Sequence, residues 1–225
     1  MKILYPLVYF FLVPAFVFSS CAAGLSFIET SPGSACSIAP YTETISLTTV
    51  PVERPPRPAV PQYIMGRGLV SPEVLAAFLL EVNPEADRVF VENLARYYVE
   101  EAALEGVNHD IAFAQMSLET GYLRFGNLVT SDQYNFAGLG ATGPGFPGLR
   151  FPDPRTGVRA QIQHLKAYAC ITPLYQELVN PRFFLVRRGS SPAIRGLAGT
   201  WAEDPLYAEK INNILERLYF FSFGN

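Results

Sequence analysis

The chain has 225 residues, enough for one sizeable domain with appendages, and its apolar content of 49% supports a hydrophobic core. Its 17 basic and 20 acidic side chains give a net charge of −3 at pH 7, and the basic ones form no cluster. This excludes nucleic acid from the predicted partners, because a phosphate backbone is held by concentrated Lys and Arg.

The first 20 residues are predicted to be a signal peptide. Lys2 is followed by an apolar run, residues 3–18, that is too short to span a bilayer comfortably and ends in small residues. The Ser-Ser-Cys sequence at residues 19–21 resembles the lipobox of bacterial lipoproteins, although Phe18 replaces the usual aliphatic residue. We expect lipidation of Cys21 to anchor the protein to a membrane, with plain secretion as the alternative. Both place it outside the cytoplasm, in the bacterial cell envelope or beyond.

Residues 21–68 are predicted to be a disordered tether. Prolines are interleaved there with Ser and Thr, a composition that favours extended and poorly packed chain; they are Pro32, Pro40, Pro51, Pro55, Pro56, Pro58 and Pro61. The folded domain is therefore expected to span residues 69–225.

Helix signals run through that domain. Ser71-Pro72 and Pro84 are expected to begin the first two helices, and Gly106 to end the second. Later helices are expected after Gly157, from Ser191-Pro192, and through the last apolar stripe of the chain. No segment shows the alternation of a strand, so the fold class is mainly α, with at most a small β-hairpin in the glycine-rich stretch before Gly157.

Residues 111–121 are predicted to form a buried helix that ends in an acid. Apolar side chains surround the axis on nearly every side, while Gln115 and Glu119 lie one turn apart on one face, and Gly121 can end the helix. Desolvation and the negative end of the helix dipole would both raise the pKa of Glu119. A general acid that works near neutral pH needs such a raised pKa. The alternative interpretation is that Glu119 is an ordinary glutamate in contact with solvent.

Other chemistries lack their sequence context. Gly138-Leu-Gly140-Ala-Thr-Gly143 has the dinucleotide-binding spacing, but no strand precedes it and Pro144 prevents a helix after it. Neither His109 nor His164 has partners at metal-ligand spacing, and serine or thiol motifs are missing. We therefore predict no cofactor and no metal. His164 lies on a polar helical face that either packs or lines a cleft.

Four ordered motifs resemble glycoside hydrolase family 73. They are Gln115-Met-Ser-Leu-Glu-Thr-Gly121, Tyr134-Asn-Phe-Ala-Gly-Leu-Gly140, Gly157-Val-Arg-Ala-Gln161 and Trp201-Ala-Glu-Asp-Pro-Leu-Tyr-Ala-Glu-Lys-Ile211. The resemblance covers roughly residues 69–225. It implies a lysozyme-like helical fold and an endo-β-N-acetylglucosaminidase that acts on bacterial peptidoglycan.

The resemblance also implies roles for single residues. Glu119 corresponds to the general acid and Tyr207 to the active-site tyrosine of the family. Relatives carry a second glutamate after the glycine-rich segment, where this chain has only Asp153. We therefore expect acetamide-assisted catalysis, with Tyr207 orienting the acetamide, and Asp153 is the alternative as a second carboxylate.

Substrate contacts are expected from polar and aromatic residues near the proposed acid, because sugar faces stack on aromatic rings. The predicted set is Gln115, Tyr134, Asn135, Phe136, Gly138, His164 and Trp201. The expected partner is the glycan strand of peptidoglycan, bound by a monomer.

Three functions remain open from the sequence. The first is hydrolysis of the bond after N-acetylglucosamine in peptidoglycan. The second is a lytic transglycosylase, which uses the same fold and a single acid. The third is a glycan-binding or adhesin lipoprotein without turnover, since a fold and a motif do not guarantee chemistry.

Overall fold

The computed structural model describes residues 56–126, 128–143 and 145–224. Within them, the regular structure consists of α1 (Pro72–Val82), α2 (Arg88–Glu105), α3 (His109–Glu119), β1 (Ala141–Gly143), β2 (Phe146–Pro147), α4 (Pro154–Ala169) and α5 (Tyr207–Phe223). The strands β1 and β2 form an antiparallel hairpin. The predicted mainly helical class with one small hairpin is confirmed, and it fits the lysozyme-like fold that the resemblance implies.

Local capping signals explain where α1 and α3 begin. Pro72 opens α1, and the Ser71 side chain accepts the N–H of Val74. The Asn108 side chain accepts the N–H groups of the first two residues after His109. Gly106 adopts the left-handed conformation after α2, as predicted.

Three predicted helix starts are wrong, and the one expected after Gly157 is too late because α4 already begins at Pro154. Helix α2 begins at Arg88, where the Asp87 side chain accepts the N–H of Phe90, because Asn83 is still engaged in ending α1 and leaves Pro84 in the turn. Residues after Ser191 form only a short 3₁₀ turn, Ile194–Leu197. Their backbone is already hydrogen-bonded to an N-terminal segment and cannot close an α-helix there.

That N-terminal segment belongs to the folded domain, so the predicted boundary at residue 69 is too late. Ile64 is fully buried, its N–H donates to the Pro192 carbonyl at 3.0 Å, and its own carbonyl accepts the Asn108 N–H at 2.8 Å. Proline-rich composition predicts extended chain, and here the extended chain is paired on both sides. The predicted signal peptide, Cys21 and most of the predicted tether lie outside the described residues.

The buried helix α3 lies at the centre of the core. Every residue from His109 to Ser117 is buried, as the sequence predicts, and α3 packs on α2, α4 and α5. Ion pairs join α2 to α4, including the fully buried Lys166–Glu105 pair at 2.8 Å. These contacts fix α3 and α4 relative to each other. No helix among the described residues is long and apolar enough to cross a membrane.

Candidate active site

Glu119 is the last residue of α3, and the chain turns away directly after it. Thr120 caps the helix by donating its hydroxyl to the Met116 carbonyl at 2.8 Å while accepting the Leu123 N–H at 2.9 Å. Gly121 is left-handed with a φ of 57°, which confirms the predicted helix stop. The acid is therefore held at the rim of the core.

The backbone after the acid is strained. Tyr122, Leu123 and Phe125 have φ values of 58°, 63° and 55°, and a left-handed non-glycine residue costs about 1–2 kcal/mol. The turn is held by the Asn83 side-chain amide, which donates to the Tyr122 carbonyl at 2.8 Å. Such strain persists only where surrounding contacts impose it, and here it directs the following residues along the wall of a cleft.

Both hydrogen bonds to the Glu119 carboxyl reach the same oxygen. Oε1 accepts the hydroxyl of Tyr207 and the indole N–H of Trp201, the latter at 3.1 Å. Burial raises the pKa of Glu119 above its ordinary value, and the two hydrogen bonds oppose that rise because they favour the anion. Burial is the larger influence, which is the direction a general acid needs.

The proton of the neutral acid belongs on Oε2. Oε1 already faces two donors, so a hydrogen there would meet another hydrogen. Gly138 borders Oε2: a Cβ at Gly138 would lie 3.5 Å from it, and its φ of 63° favours glycine. Gly138 also lines the cleft, so Oε2 lies beside a cleft residue that has no side chain.

A buried relay of amides fixes the direction of the Tyr207 hydroxyl. Gln161 Nε2 donates to the Ala112 carbonyl at 3.0 Å and to Gln115 Oε1 at 2.8 Å, and Gln115 Nε2 donates to the Tyr207 oxygen at 3.0 Å. A carbonyl can only accept, so the amide orientations follow from Ala112 onward. The Tyr207 oxygen therefore accepts from Gln115, and its hydrogen points to Glu119.

The acid opens into a cleft of about 230 Å³. Its lining comes from the end of α3, the turn after it, the segment before β1 and the loop before α5; the residues are Glu119, Thr120, Phe125, Leu128, Val129, Asn135, Ala137, Gly138, Ala141, Trp201 and Ala202. Glu119 is the one carboxylate in that lining among the described residues. Asn135, Gly138 and Trp201 lie at the cleft as predicted.

Asn135 lines the cleft, but its side-chain amide is hydrogen-bonded to the backbone on both sides of the β1–β2 hairpin. Its Nδ2 donates to the carbonyls of Leu139 and Leu149 at 2.9 and 3.0 Å, and its Oδ1 accepts the Leu139 N–H at 2.9 Å. Asn135 therefore shapes the cleft by holding the segment that presents Gly138.

Three predicted substrate contacts do not reach the cleft. Gln115 is fully buried behind Tyr207, and Phe136 is 1% exposed within the core. Tyr134 packs between two apolar clusters and is not part of the cleft lining. The polar and aromatic character of these residues serves packing and the relay instead.

The structure does not bring Asp153 to the acid. Asp153 is the exposed N-cap of α4, where its carboxylate accepts the Thr156 N–H at 2.9 Å and the Thr156 hydroxyl at 2.8 Å. It is also absent from the cleft lining. The prediction of Asp153 as the second carboxylate is corrected, because helix capping already occupies its oxygens.

His164 is buried beside the cleft and faces an adjoining pocket. Its ring packs edge-on against Trp201 at 4.9 Å and Tyr168 at 5.4 Å, and Nδ1 is hydrogen-bonded to the Asn180 amide at 2.8 Å. Burial, together with the nearby Arg182 charge, lowers the pKa of His164 to about 4. The imidazole is therefore neutral at physiological pH.

Sequence reasoning missed the apolar cleft wall and the inner part of the relay. The wall comes from the irregular turn after the acid, which has no periodicity to detect. Gln161 stands on a helical face that sequence alone could not distinguish from a solvated one, and Tyr98, which donates to Gln161 Oε1 at 2.5 Å, looks like an ordinary core aromatic. In the described part of the chain, no group of three or more His, Cys, Asp or Glu side chains could hold a metal ion.

The chain is similar to one protein family and to two known proteins. Residues 95–220 match the glucosaminidase family, described as mannosyl-glycoprotein endo-beta-N-acetylglucosaminidase. An uncharacterized protein of Borreliella burgdorferi is 44% identical over 163 residues, which are 72% of this chain and 80% of the relative. The catalytic domain of the autolysin Auto from Listeria monocytogenes aligns with 70% of this chain and 90% of its own length, at 15% identity and a TM-score of 0.40. Because the family match spans residues 95–220, more than half of the chain, the chain belongs to the glucosaminidase family and is a glycoside hydrolase, as its resemblance to family 73 implied.

Proposed function

We propose that the protein is an endo-β-N-acetylglucosaminidase that hydrolyses the glycan strands of peptidoglycan, with Glu119 as the general acid. The observation that carries the proposal is the state of Glu119: burial raises its pKa, and it lines the cleft with its Oε2 beside Gly138. The family match supports cleavage after N-acetylglucosamine. The family 73 resemblance and the predicted export signal support peptidoglycan as the substrate.

The single carboxylate of the cleft lining supports acetamide-assisted catalysis. Mechanisms that use two carboxyls need the second one at a defined separation, and the described lining offers none besides Glu119. Oε2 would give its proton to the glycosidic oxygen as the bond to the anomeric carbon breaks. The carbonyl oxygen of the 2-acetamido group would form the new bond to that carbon. Water would then open the resulting ring and return a proton to Glu119.

Tyr207 serves Glu119 in this scheme and does not orient the acetamide. Its hydroxyl donates to Oε1 and accepts from Gln115, so both of its hydrogen-bonding directions are occupied. The donation stabilises the carboxylate that forms when the proton leaves. Trp201 supplies a second donor to the same oxygen.

We place this activity at the bacterial cell envelope, outside the cytoplasm. A peptidoglycan substrate requires that location, and the predicted signal peptide with lipidation at Cys21 would hold a monomeric enzyme on a membrane beside the wall. Without lipidation, the enzyme would be secreted.

The test uses the full-length chain, purified in detergent, and its Glu119→Gln variant on isolated sacculi. Released ends are reduced with borohydride and identified by mass spectrometry. We expect reduced N-acetylglucosamine ends from the wild type and about 10²- to 10⁴-fold fewer from Glu119→Gln, the usual loss for a general acid. Glu203→Gln is the matched control, since Glu203 is an exposed acid outside the cleft lining.

Other products would point to the other functions. Anhydro-muramyl ends would establish a lytic transglycosylase, which also needs one acid. Retained binding to sacculi with no new ends would leave a glycan-binding lipoprotein without turnover.

A further inference from the structure

A second, smaller pocket continues the cleft beyond the indole of Trp201. It has a volume of about 180 Å³ and shares Ala137, Gly138, Ala141 and Trp201 with the acid cleft. Because Trp201 Nε1 contacts Glu119 while its ring packs on His164, the two pockets lie on either side of one side chain. A glycan held at Glu119 would extend from one pocket into the other.

Arg182 is the one charged side chain in the lining of this second pocket within the described residues. Across that same part of the chain, no carboxylate lies within ion-pair distance of its guanidinium, which also donates no hydrogen bond. Arg155 and Arg159, by contrast, are both paired with Glu101. The pocket therefore offers an uncompensated positive charge beside the cleft.

Buried side chains of α4 hold the segment that carries Arg182. Gln163 Oε1 accepts the N–H groups of Val179 and Asn180 at 3.0 and 3.2 Å. Asn180 is fully buried, and its Oδ1 accepts the Arg182 N–H at 3.0 Å. The position of the Arg182 backbone is thus set by the core, unlike that of an arginine on an open loop.

His164 offers a second donor at the same pocket. Because Asn180 Oδ1 accepts from Arg182, its Nδ2 faces His164 Nδ1, which must then be the acceptor. The neutral imidazole therefore carries its hydrogen on Nε2. In the described part of the chain this nitrogen has no hydrogen-bond partner and is not sealed from solvent.

We propose that Arg182, with His164, forms a carboxylate subsite for the acidic group carried on the muramyl residue that neighbours the cleaved N-acetylglucosamine. A guanidinium binds carboxylates through charge-assisted, paired hydrogen bonds. The inference rests on the proposed function and narrows its substrate to acidic glycan, because polymers of N-acetylglucosamine alone carry no carboxylate. The acid is either the lactyl carboxylate of a strand without peptide or a carboxylate of the stem peptide.

The test measures binding without turnover, so that it stands apart from the hydrolysis assay. Calorimetry on the full-length Glu119→Gln chain compares a peptide-free tetrasaccharide of peptidoglycan with its neutral lactyl methylamide, and a peptide-bearing fragment with its carboxyl-amidated form. At low salt we expect about ten-fold preference for the acidic member of at least one pair, in line with a hydrogen bond between charged groups. The pair that shows the preference identifies the source of the carboxylate.

Further variants that also carry Glu119→Gln test whether Arg182 causes the preference for acidic ligands. Arg182→Gln should abolish it, Arg182→Lys should keep part of it, and Arg187→Gln should keep all of it, since Arg187 is an exposed arginine of the same segment outside both pockets. Equal affinity for acidic and neutral ligands with Arg182 intact would overturn the proposal. So would an equal loss of affinity for both members of each pair in Arg182→Gln, which would indicate a structural role. Absence of hydrolysis in sacculi would count against the proposed function alone.

Discussion

Burial and hydrogen bonding have opposite effects on the pKa of Glu119. This balance suits a residue that first donates a proton and later takes one back. Burial favours the neutral acid before the transfer, while Tyr207 and Trp201 stabilise the anion after it. Because both donors reach Oε1, stabilising the anion does not block Oε2, from which the proton leaves. The same residue can therefore act first as an acid and then as a base.

Removing the Tyr207 hydroxyl should shift the pH dependence of activity. Tyr207→Phe deletes a donor that favours the Glu119 anion, so the pKa of Glu119 should rise further. In the proposed mechanism the reaction requires protonated Glu119, so the alkaline limb of the kcat/KM profile should move to higher pH. The turnover number should fall about 10- to 100-fold, since a hydrogen bond to a charged group contributes about 1.5–3 kcal/mol.

Gln115→Leu should also move the alkaline limb of the kcat/KM profile to higher pH, but by a smaller amount than Tyr207→Phe. Burial and Glu119 raise the pKa of Tyr207 well above its ordinary value. The hydrogen bond from Gln115 to the Tyr207 oxygen opposes that rise and makes the hydroxyl a stronger donor. Full pH–rate profiles of both variants check this. A limb that stays in place or moves to lower pH would contradict the assignment of Tyr207.

At the residue scale, the sequence identified the groups that carry local signals. The sequence predicts Glu119 because an acid ends an apolar helix, and Trp201 and Tyr207 because they belong to one motif. It also predicts Gln115 as a substrate contact because a polar side chain beside an acid looks accessible, whereas the structure buries it in the relay. Arg182 lies between Pro181 and two phenylalanines, where no pattern indicates a cleft. Its position depends on Asn180 and α4.

At the scale of elements, Gly157 allows α4 to lie close to the segment before β1, which lines part of the cleft. A Cβ at Gly157 would lie 1.8 Å from the Tyr134 carbonyl oxygen and 3.3 Å from the Phe136 ring. Sequence reasoning placed this glycine before the helix, but α4 begins at Pro154 and the glycine lies in its first turn. Glycine is needed there for close contact between a helix and a loop.

Gly157→Ala should therefore weaken both the fold and the site. The methyl group must displace the Tyr134 carbonyl and with it the segment that presents Asn135 and Gly138. We expect a loss of about 1–3 kcal/mol in the free energy of unfolding, the usual cost of overpacking, and a fall in kcat/KM of at least about ten-fold. Urea titration and steady-state kinetics measure the two effects. A variant that matches the wild type in both would show that the loop does not need this contact.

Helix ends were predictable where their caps are local, as at Ser71, Gly106 and Asn108. The prediction failed where distant chain competes for the same backbone groups. Residues 191–193 contain a good helix start, yet the Pro192 carbonyl accepts the Ile64 N–H and the Ile194 N–H donates to the Gln62 carbonyl. No local pattern in the sequence records that pairing.

At the scale of the whole molecule, His164 should make stability depend on pH. Its pKa is about 4 in the folded protein, below its ordinary value of 6.5, so the unfolded chain binds a proton in that range while the folded protein does not. The stability that neutral His164 contributes is fully present above pH 6.5 and is lost as the pH falls toward 4. This loss lowers the free energy of unfolding by at most about 3 kcal/mol.

Urea denaturation at pH 7 and pH 4.5 measures this dependence. His164→Gln should lower stability at pH 7 but reduce the difference between the two pH values. The raised pKa of Glu119 acts in the opposite sense, because its contribution to stability is lost as the pH rises, so Glu119→Gln should enlarge the difference. An unchanged difference in His164→Gln would contradict the role of His164.

The pairing of residues 62–66 has a mechanical consequence. This extended segment lies near the start of the folded domain, and it is bonded to residues 192–194 on one side and to residues 106–108 on the other. If the enzyme works while its N-terminal end is anchored, tension reaches the ion pair of Arg57 with Glu216 of α5 and then these bonds. Several parallel hydrogen bonds and the buried Ile64 side chain then share the load in shear. The cleft lies at the opposite end of α3 from this attachment, so the enzyme can be pulled without its acid being displaced.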